Sequence, residues 1–239
     1  AYTLRVNDIP MTTGHGEPVQ RHFALEDQER VVGVACHDPR CLPNPVAEPP
    51  APTQGLLPGD LAAHGETNGN GHADLPPPPY ALAMTAGGKV LRFPLAMVAP
   101  ISTRKGRLIV RLDNAIDADA VIGVELTDGS ENVCLATRSA RVLIFPVNEA
   151  NIVAGAAKGV TAIKLDPRDR VLGFVLANRM REGLTVQTSR GSTQIVRATK
   201  YPVTSRGGRG YGILQRGALT AVLPDDVQPV PPPEQVGES

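Results

Sequence analysis

The 239-residue chain has no tryptophan, and only four tyrosines and four phenylalanines. That scarcity excludes repeat families whose units are built around a Trp-Asp pair. No apolar run reaches the ~18 residues that a membrane-spanning helix needs, and no signal-peptide pattern opens the sequence, so a cytoplasmic location without membrane contact is expected. Cysteine is scarce as well. Cys36, Cys41 and Cys134 are an odd number, and although Cys36 and Cys41 flank His37, no second ligand pair accompanies them. Reduced thiols and no metal site are expected. No phosphate-binding P-loop occurs, so no cofactor is expected in the chain. His15, His22, His37, His64 and His72 all precede Tyr80, and no Ser–His–Asp arrangement can be argued, so no catalytic residue is assigned.

The absence of net charge is deceptive. Residues 81–220 carry 20 Lys and Arg against 10 Asp and Glu. Residues 1–80 carry 4 against 10, and residues 221–239 carry none against 4. The charges are separated by region, and a basic central region is the electrostatic footprint of a polyanion partner.

That central region repeats. "RKGRLIVRLD", "AKGVTAIKLD" and "GRGYGILQRG" place Gly106, Gly159 and Gly210 at intervals of 53 and 51 residues. Upstream of each lies "GKVLRFP", "ARVLIFP" or "GSTQIVR", in which Lys89, Arg141 and Thr193 are 52 apart. "DAVIGVEL" answers "DRVLGFVL", with Gly123 and Gly173 separated by 50. A period near 50 with β-branched runs predicts an all-β array of small units. The runs "YALAMTA", "KVLRF", "LIVRL", "VIGVEL", "NVCLAT" and "RVLIF" are the expected strands, with Phe93 and Phe145 equivalent and in the core.

The N-terminal region belongs to the same array. "AYTLRVNDIP" is similar to "GKVLRFP", and "ERVVGVAC" to "DAVIGVEL". This unit lacks the strand equivalent to "YALAMTA", so the sequence is read as a piece of a longer chain. Gly33 and Gly123 are 90 apart, one period plus an insert of about 40 residues, which is rich in Pro, Gly and Asn.

Basic residues fall inside the glycine loops: Arg104, Lys105 and Arg107, then Lys158, then Arg206 and Arg209. Glycine allows close approach of backbone N–H groups to a phosphate, and arginine holds a phosphate with two hydrogen bonds. Set around a curved array, such loops suit a bent phosphate backbone. Ordinary turns on a solvated polar face are the plain alternative.

With these motifs in view, the sequence resembles the C-terminal domain of bacterial DNA gyrase A subunits and of their topoisomerase IV counterparts. The resemblance covers residues 1–34 and 80–223. It rests on a strand with Lys or Arg before "FP", a basic glycine loop, and "D…(V/I)xGV". It implies a β-pinwheel, a relative of the propeller, made of four-stranded antiparallel blades whose basic rim bends double-stranded DNA. On that reading residues 1–37 end one blade, 38–79 form a disordered linker, 80–223 form further blades, and 224–239 form a disordered acidic, Pro-rich tail. The family's wrapping box, Q-R-R-G-G-K-G, aligns with residues 204–210. Arg206, Gly207, Gly208 and Gly210 match, and Arg209 replaces Lys. Thr204 and Ser205 depart from it, and the box lies in the last repeat rather than on the first blade. A degenerate box fits a topoisomerase IV-like protein better.

The implied DNA-binding residues are Lys89, Arg92, Arg104, Lys105, Arg107, Arg141, Lys158, Arg206, Gly207, Gly208, Arg209 and Gly210. The family's cleavage tyrosine follows an arginine, a pair absent here, and its ATPase lies on the B subunit. ATP and Mg are therefore expected elsewhere in an A2B2 holoenzyme, with the B subunit reached through the missing N-terminal part. The alternative class is a propeller-type protein-interaction module, whose Gly-His, Trp-Asp or double-Gly patterns are absent. A propeller hydrolase would need acidic or His clusters at blade tips, and these tips are basic.

Overall fold

The computed structural model describes residues 1–11, 13–26, 29–43, 77–113, 119–178 and 182–223. Most of the expected linker (44–76) and all of the expected tail (224–239) lie outside the described residues.

Three antiparallel hairpins form the frame. They are β1 (Tyr80–Thr85) with β2 (Lys89–Pro94), β4 (Asn132–Thr137) with β5 (Arg141–Pro146), and β8 (Leu184–Thr188) with β9 (Thr193–Val196). Each first strand ends on a threonine whose carbonyl accepts the N–H of the residue three places on. That residue has positive φ: Gly88 at 77°, Ala140 at 58° and Gly191 at 82°. This conformation costs alanine about 1 kcal/mol, and the Ala140 methyl is buried between the second and third sheets. Proline ends β2 and β5, and a 3-10 turn after each tucks Leu95 or Val147 into the core.

The remaining strands join these hairpins by one rule. β3 (Val121–Thr127), β7 (Val171–Ala177) and β11 (Leu219–Leu223) each pair with the first strand of the preceding hairpin. β6 (Val160–Thr161) follows the second hairpin but pairs with β2 of the first. β10 (Tyr211–Gly212) follows the third hairpin and pairs with β5 of the second. The sheet orders are β3-β1-β2-β6, β10-β5-β4-β7 and β11-β8-β9. Each of the first two blades thus borrows its fourth strand from the next unit. The third has three strands among the described residues. The described secondary structure is strands and short 3-10 turns, without α-helix.

The N-terminal residues repeat the same pairing without forming a regular strand. The Arg107 N–H donates to the Ala1 carbonyl at 2.7 Å, and the Ala1 amine donates back to the Arg107 carbonyl at 2.7 Å. Ser102 N–H donates to the Thr3 carbonyl at 3.0 Å, as Val153 does to Arg92 and Thr204 to Ile144. Ala1 and Thr3 therefore take the places of Val90 and Arg92 in a second hairpin strand, two residues out of register with the similarity of "AYTLRV" to "GKVLRF", which sets Thr3 against Val90.

Alternation along the strands puts apolar side chains on both faces. Leu82, Met84 and Val90 face Leu135, Leu143 and Phe145 between the first and second sheets. Cys134, Ala136, Val142 and Ile144 face Leu184, Val186 and Leu219 between the second and third. Ala83, Leu91 and Phe93 form a third cluster on the outer face of the first sheet, with Leu42 packed against it. Phe93 and Phe145 are both buried. Glycine spaces the stack. A Cβ at Gly123 would lie 3.0 Å from Phe174, at Gly173 2.6 Å from Val222, and at Gly33 3.0 Å from Val124. The same contact recurs from unit to unit, which ties the N-terminal segment to the array.

Candidate nucleic-acid interface

The basic glycine loops lie at the seams between successive units. Their glycines have left-handed backbones, with φ of 68° at Gly106, 74° at Gly159 and 65° at Gly210. The reason is close approach to protein. A Cβ would lie 2.7 Å from the Ala1 carbonyl oxygen at Gly106, 2.4 Å from that of Val90 at Gly159, and 2.5 Å from that of Val142 at Gly210. The glycine in each loop is what lets the borrowed strand dock on the preceding blade.

The longest loop, residues 204–210, is tied down throughout. Thr204 N–H donates to Ile144 O at 2.8 Å, Gly207 N–H to Ala162 O at 2.6 Å, and Lys164 N–H to Gly208 O at 2.8 Å. Arg206 turns inward: its N–H donates to the Glu149 carboxylate at 2.8 Å, its Nε to the Glu149 carbonyl at 2.8 Å, and its Nη1 to Thr161 O at 3.3 Å. Arg209 points outward and is exposed.

The other expected site residues divide in the same way. Arg104, Lys105 and Lys158 are exposed. Lys158 Nζ lies 3.6 Å from Asp113. Arg107 is half-buried and donates to Pro100 O at 2.7 Å and Ile101 O at 3.1 Å, closing its own loop. Lys89 and Arg141, which start β2 and β5, reach the next unit's loop. Lys89 Nζ donates to Thr161 Oγ1 at 3.1 Å, and Arg141 Nη1 to Arg209 O at 3.1 Å. Residues far apart in the chain thus meet at one seam, Lys89 beside the loop of Lys158 and Arg141 beside that of Arg209.

Arg92 is placed differently. It is 3% exposed, donates Nε to Ala150 O at 2.8 Å and Nη2 to Asn148 O at 3.3 Å, and lies 5.9 Å from the Tyr80 ring centroid. This arginine sits under the Pro146 corner of the next unit, with no face toward solvent.

Sequence reasoning missed Arg138 and Arg190. Both are exposed in the second and third hairpin turns, Arg138 one place after Thr137 and Arg190 two places after Thr188, and their spacing of 52 in the sequence was the available signal. Leu219 N–H donates to Arg138 O and Ile213 N–H to Ala140 O, so the second turn abuts the segment that follows the third loop. It missed as well a cleft of about 530 Å³ between the first hairpin turn and residues 161–170. Lys89, Lys164 and Arg170 line it together with Asp113 and Asp166. Among the described residues no group of His, Cys, Asp and Glu converges to hold a metal ion, and no helix is long and apolar enough to cross a membrane.

The family model of the DNA gyrase C-terminal domain, beta-propeller, matches residues 79–128, 131–178 and 186–211, just over half of the chain. The DNA gyrase A subunit of Pseudomonas aeruginosa is 26% identical over 237 residues, covering 93% of this chain and 25% of that protein. The DNA topoisomerase 4 A subunit of Bacillus subtilis is 29% identical over 140 residues, covering 58% of this chain and 17% of its own length. The chain therefore spans a quarter or less of these relatives. Among solved structures, the C-terminal domain of DNA topoisomerase IV superposes with a TM-score of 0.56 at 26% identity, covering 63% of this chain and 47% of that one. The Escherichia coli ParC C-terminal domain gives 0.60 at 16% identity, covering 93% and 76%, a likeness of fold.

Proposed function

Because the chain belongs to the DNA gyrase C-terminal domain family, we propose that it binds and bends duplex DNA as a non-catalytic part of the A subunit of a type IIA topoisomerase. One observation carries this reading. Arg104 and Lys105, Lys158, and Arg209 present exposed cations from three loops that dock in the same register on successive blades. Cations repeated along a stacked array match a phosphate backbone that follows the stack, and contacts to phosphate position a protein without reading sequence. Lys89 and Arg141 back the second and third loops from the preceding blade. The two missed turn arginines, Arg138 and Arg190, extend the same reading. Cleavage by a tyrosine, ATP hydrolysis with Mg on a B subunit, A2B2 assembly and a cytoplasmic location belong to the rest of the enzyme on this proposal. The names of the curated relatives support it.

The test is a salt titration of binding to short and to wrap-length duplex. Wild type is compared with a variant carrying Arg104→Ala, Lys105→Ala, Lys158→Ala and Arg209→Ala. Each phosphate contact contributes a slope of about −0.9 in log affinity against log salt, so losing four flattens it by roughly 3 to 4 units. The loss is expected to be larger on long duplex, which alone follows the loops from blade to blade. Equal slopes for the two proteins on both lengths overturn the proposal.

A further inference from the structure

Two thiols face each other where the first unit ends. Cys36 lies three residues before a 3-10 turn at Pro39–Cys41 and Cys41 ends it, and their Sγ atoms lie 3.6 Å apart. The turn is held locally. The Asp38 carboxylate accepts the Arg40 backbone N–H at 2.9 Å and the guanidinium Nε at 3.0 Å, and the Cys41 N–H donates to Asp38 O at 2.9 Å. It is held at both ends by the folded body as well. Gly33 rests against Val124, and Leu42 packs on the cluster of Leu91 and Phe93, to which Val124 belongs. A disulfide needs about 2.05 Å between sulfurs, so closure takes a shift of roughly 1.5 Å in an exposed turn.

The two sulfurs are not equivalent. Cys36 is exposed, and its Sγ accepts the Asp38 N–H at 3.1 Å. The Arg40 guanidinium beside the pair is itself bound to the Asp38 carboxylate. Cys41 is half-buried, and its pKa is raised because it shares a hydrogen bond with Cys36. Cys134 is buried, and burial, with the charge of Glu125 behind it, pushes its thiol up to about 12.

We infer that Cys36 and Cys41 are a peroxide-responsive thiol pair that closes to a reversible disulfide. The Cys36 thiolate attacks the O–O bond of hydrogen peroxide, giving a sulfenic acid and one water. The Cys41 sulfur then attacks the sulfenic sulfur, forming the S–S bond and releasing a second water. Two thiols and one peroxide become one disulfide and two waters, with two electrons passing from sulfur to oxygen. A small thiol reverses the step by exchange.

The chain itself supplies the readout, because trypsin cleaves after Arg40, between the two cysteines. The whole folded chain is treated with hydrogen peroxide, alkylated and digested. The expected products are an intact mass lower by two hydrogens and the two cysteine peptides recovered as one linked species that dithiothreitol separates. Cys134 stays unoxidised. In Cys41→Ser, a sulfenic acid at Cys36 is trapped by dimedone. Because the fold positions the pair, linkage is at least about tenfold faster in the folded chain than in urea. Separate peptides carrying sulfinic acid, linkage through Cys134, or equal rates in urea would each overturn the inference.

Discussion

Replacing Gly159 with alanine tests whether the loop glycines exist for the seam. Two costs add at this site. The backbone φ of 74° lies in the left-handed region, which costs alanine about 1 kcal/mol. The new Cβ would lie 2.4 Å from the Val90 carbonyl oxygen, about 1 Å inside ordinary contact, against a backbone atom that cannot swing away. β6 must retreat from β2, and its short pairing at Lys89 and Val90 is lost. Two backbone hydrogen bonds at about 1 kcal/mol each bring the total to roughly 3 kcal/mol. Gly191 isolates the first cost, since its φ is 82° and nothing lies within 4 Å of a Cβ there. Gly155, with open space around it and no positive φ, isolates neither and serves as control. At about 2–4 °C per kcal/mol, thermal unfolding followed by circular dichroism is expected to fall by about 6–12 °C for Gly159→Ala and about 2–4 °C for Gly191→Ala. Gly155→Ala should show no loss. Equal midpoints for Gly159→Ala and Gly191→Ala would refute the seam argument and return the glycine to a turn or a phosphate contact.

Arg92→Ala is expected to cost about 2–4 kcal/mol in denaturant unfolding by leaving buried carbonyls unpaired, while the folded protein keeps its salt slope on DNA; a flattened slope would make Arg92 a phosphate contact after all. Cys134 has its thiol raised from 9.0 to about 12 by burial, so between those values the folded chain keeps a proton that the unfolded chain releases. Stability should therefore fall with rising pH by about 1.4 kcal/mol per unit across that window, and Cys134→Ala should flatten the decline; an unchanged alkaline limb counts against it. Deleting residues 46–76, which contain no Lys or Arg and no periodic apolar face, should leave melting temperature and DNA affinity nearly unchanged, and a large loss of either would show a packing role.

The period near 50, the hairpins and the buried Phe93 and Phe145 were legible because strand alternation and turn residues are local signals. The borrowing of β6 and β10 was not. Gly159 touches Val90, far upstream in the chain, and a glycine among cations reads equally well as a phosphate cradle. Only the fold reveals which backbone comes close. Arg92 shows the same limit. A basic residue before "FP" fitted the family pattern, yet Ile144 holds the equivalent place, paired with Thr204 as Arg92 is with Val153. A position that accepts Arg in one unit and Ile in the next is an interior one whose polarity follows the local carbonyls. Arg138 and Arg190 escaped for the opposite reason: each is a lone cation in a short hairpin turn, Arg138 with Ala140 where the other turns have glycine, and Arg190 beside a Gly191 that reads as an ordinary turn residue.

The two arginines of "TSRGGRG" therefore do different work. Arg206 is committed to Glu149 and Thr161, joining the loop to the second blade and the segment beyond it. Arg209 has no such task, and the guanidinium of Arg141 lies against its carbonyl, so two cations are drawn together at one seam. Among the described residues no carboxylate pairs with Arg209, Arg104 or Lys105, whereas Lys158 has Asp113 at 3.6 Å. Like charges held close repel unless an anion joins them. A phosphate should therefore gain most at the third and first loops and least at the second, where Asp113 already offsets part of the field. In single substitutions, Arg209→Ala should flatten the salt slope by close to one full contact. Lys158→Ala should flatten it by less, and Asp113→Asn should restore part of the difference by freeing Lys158 for phosphate. If Lys158→Ala costs as much as Arg209→Ala, and Asp113→Asn changes nothing, the seam electrostatics read here do not govern binding.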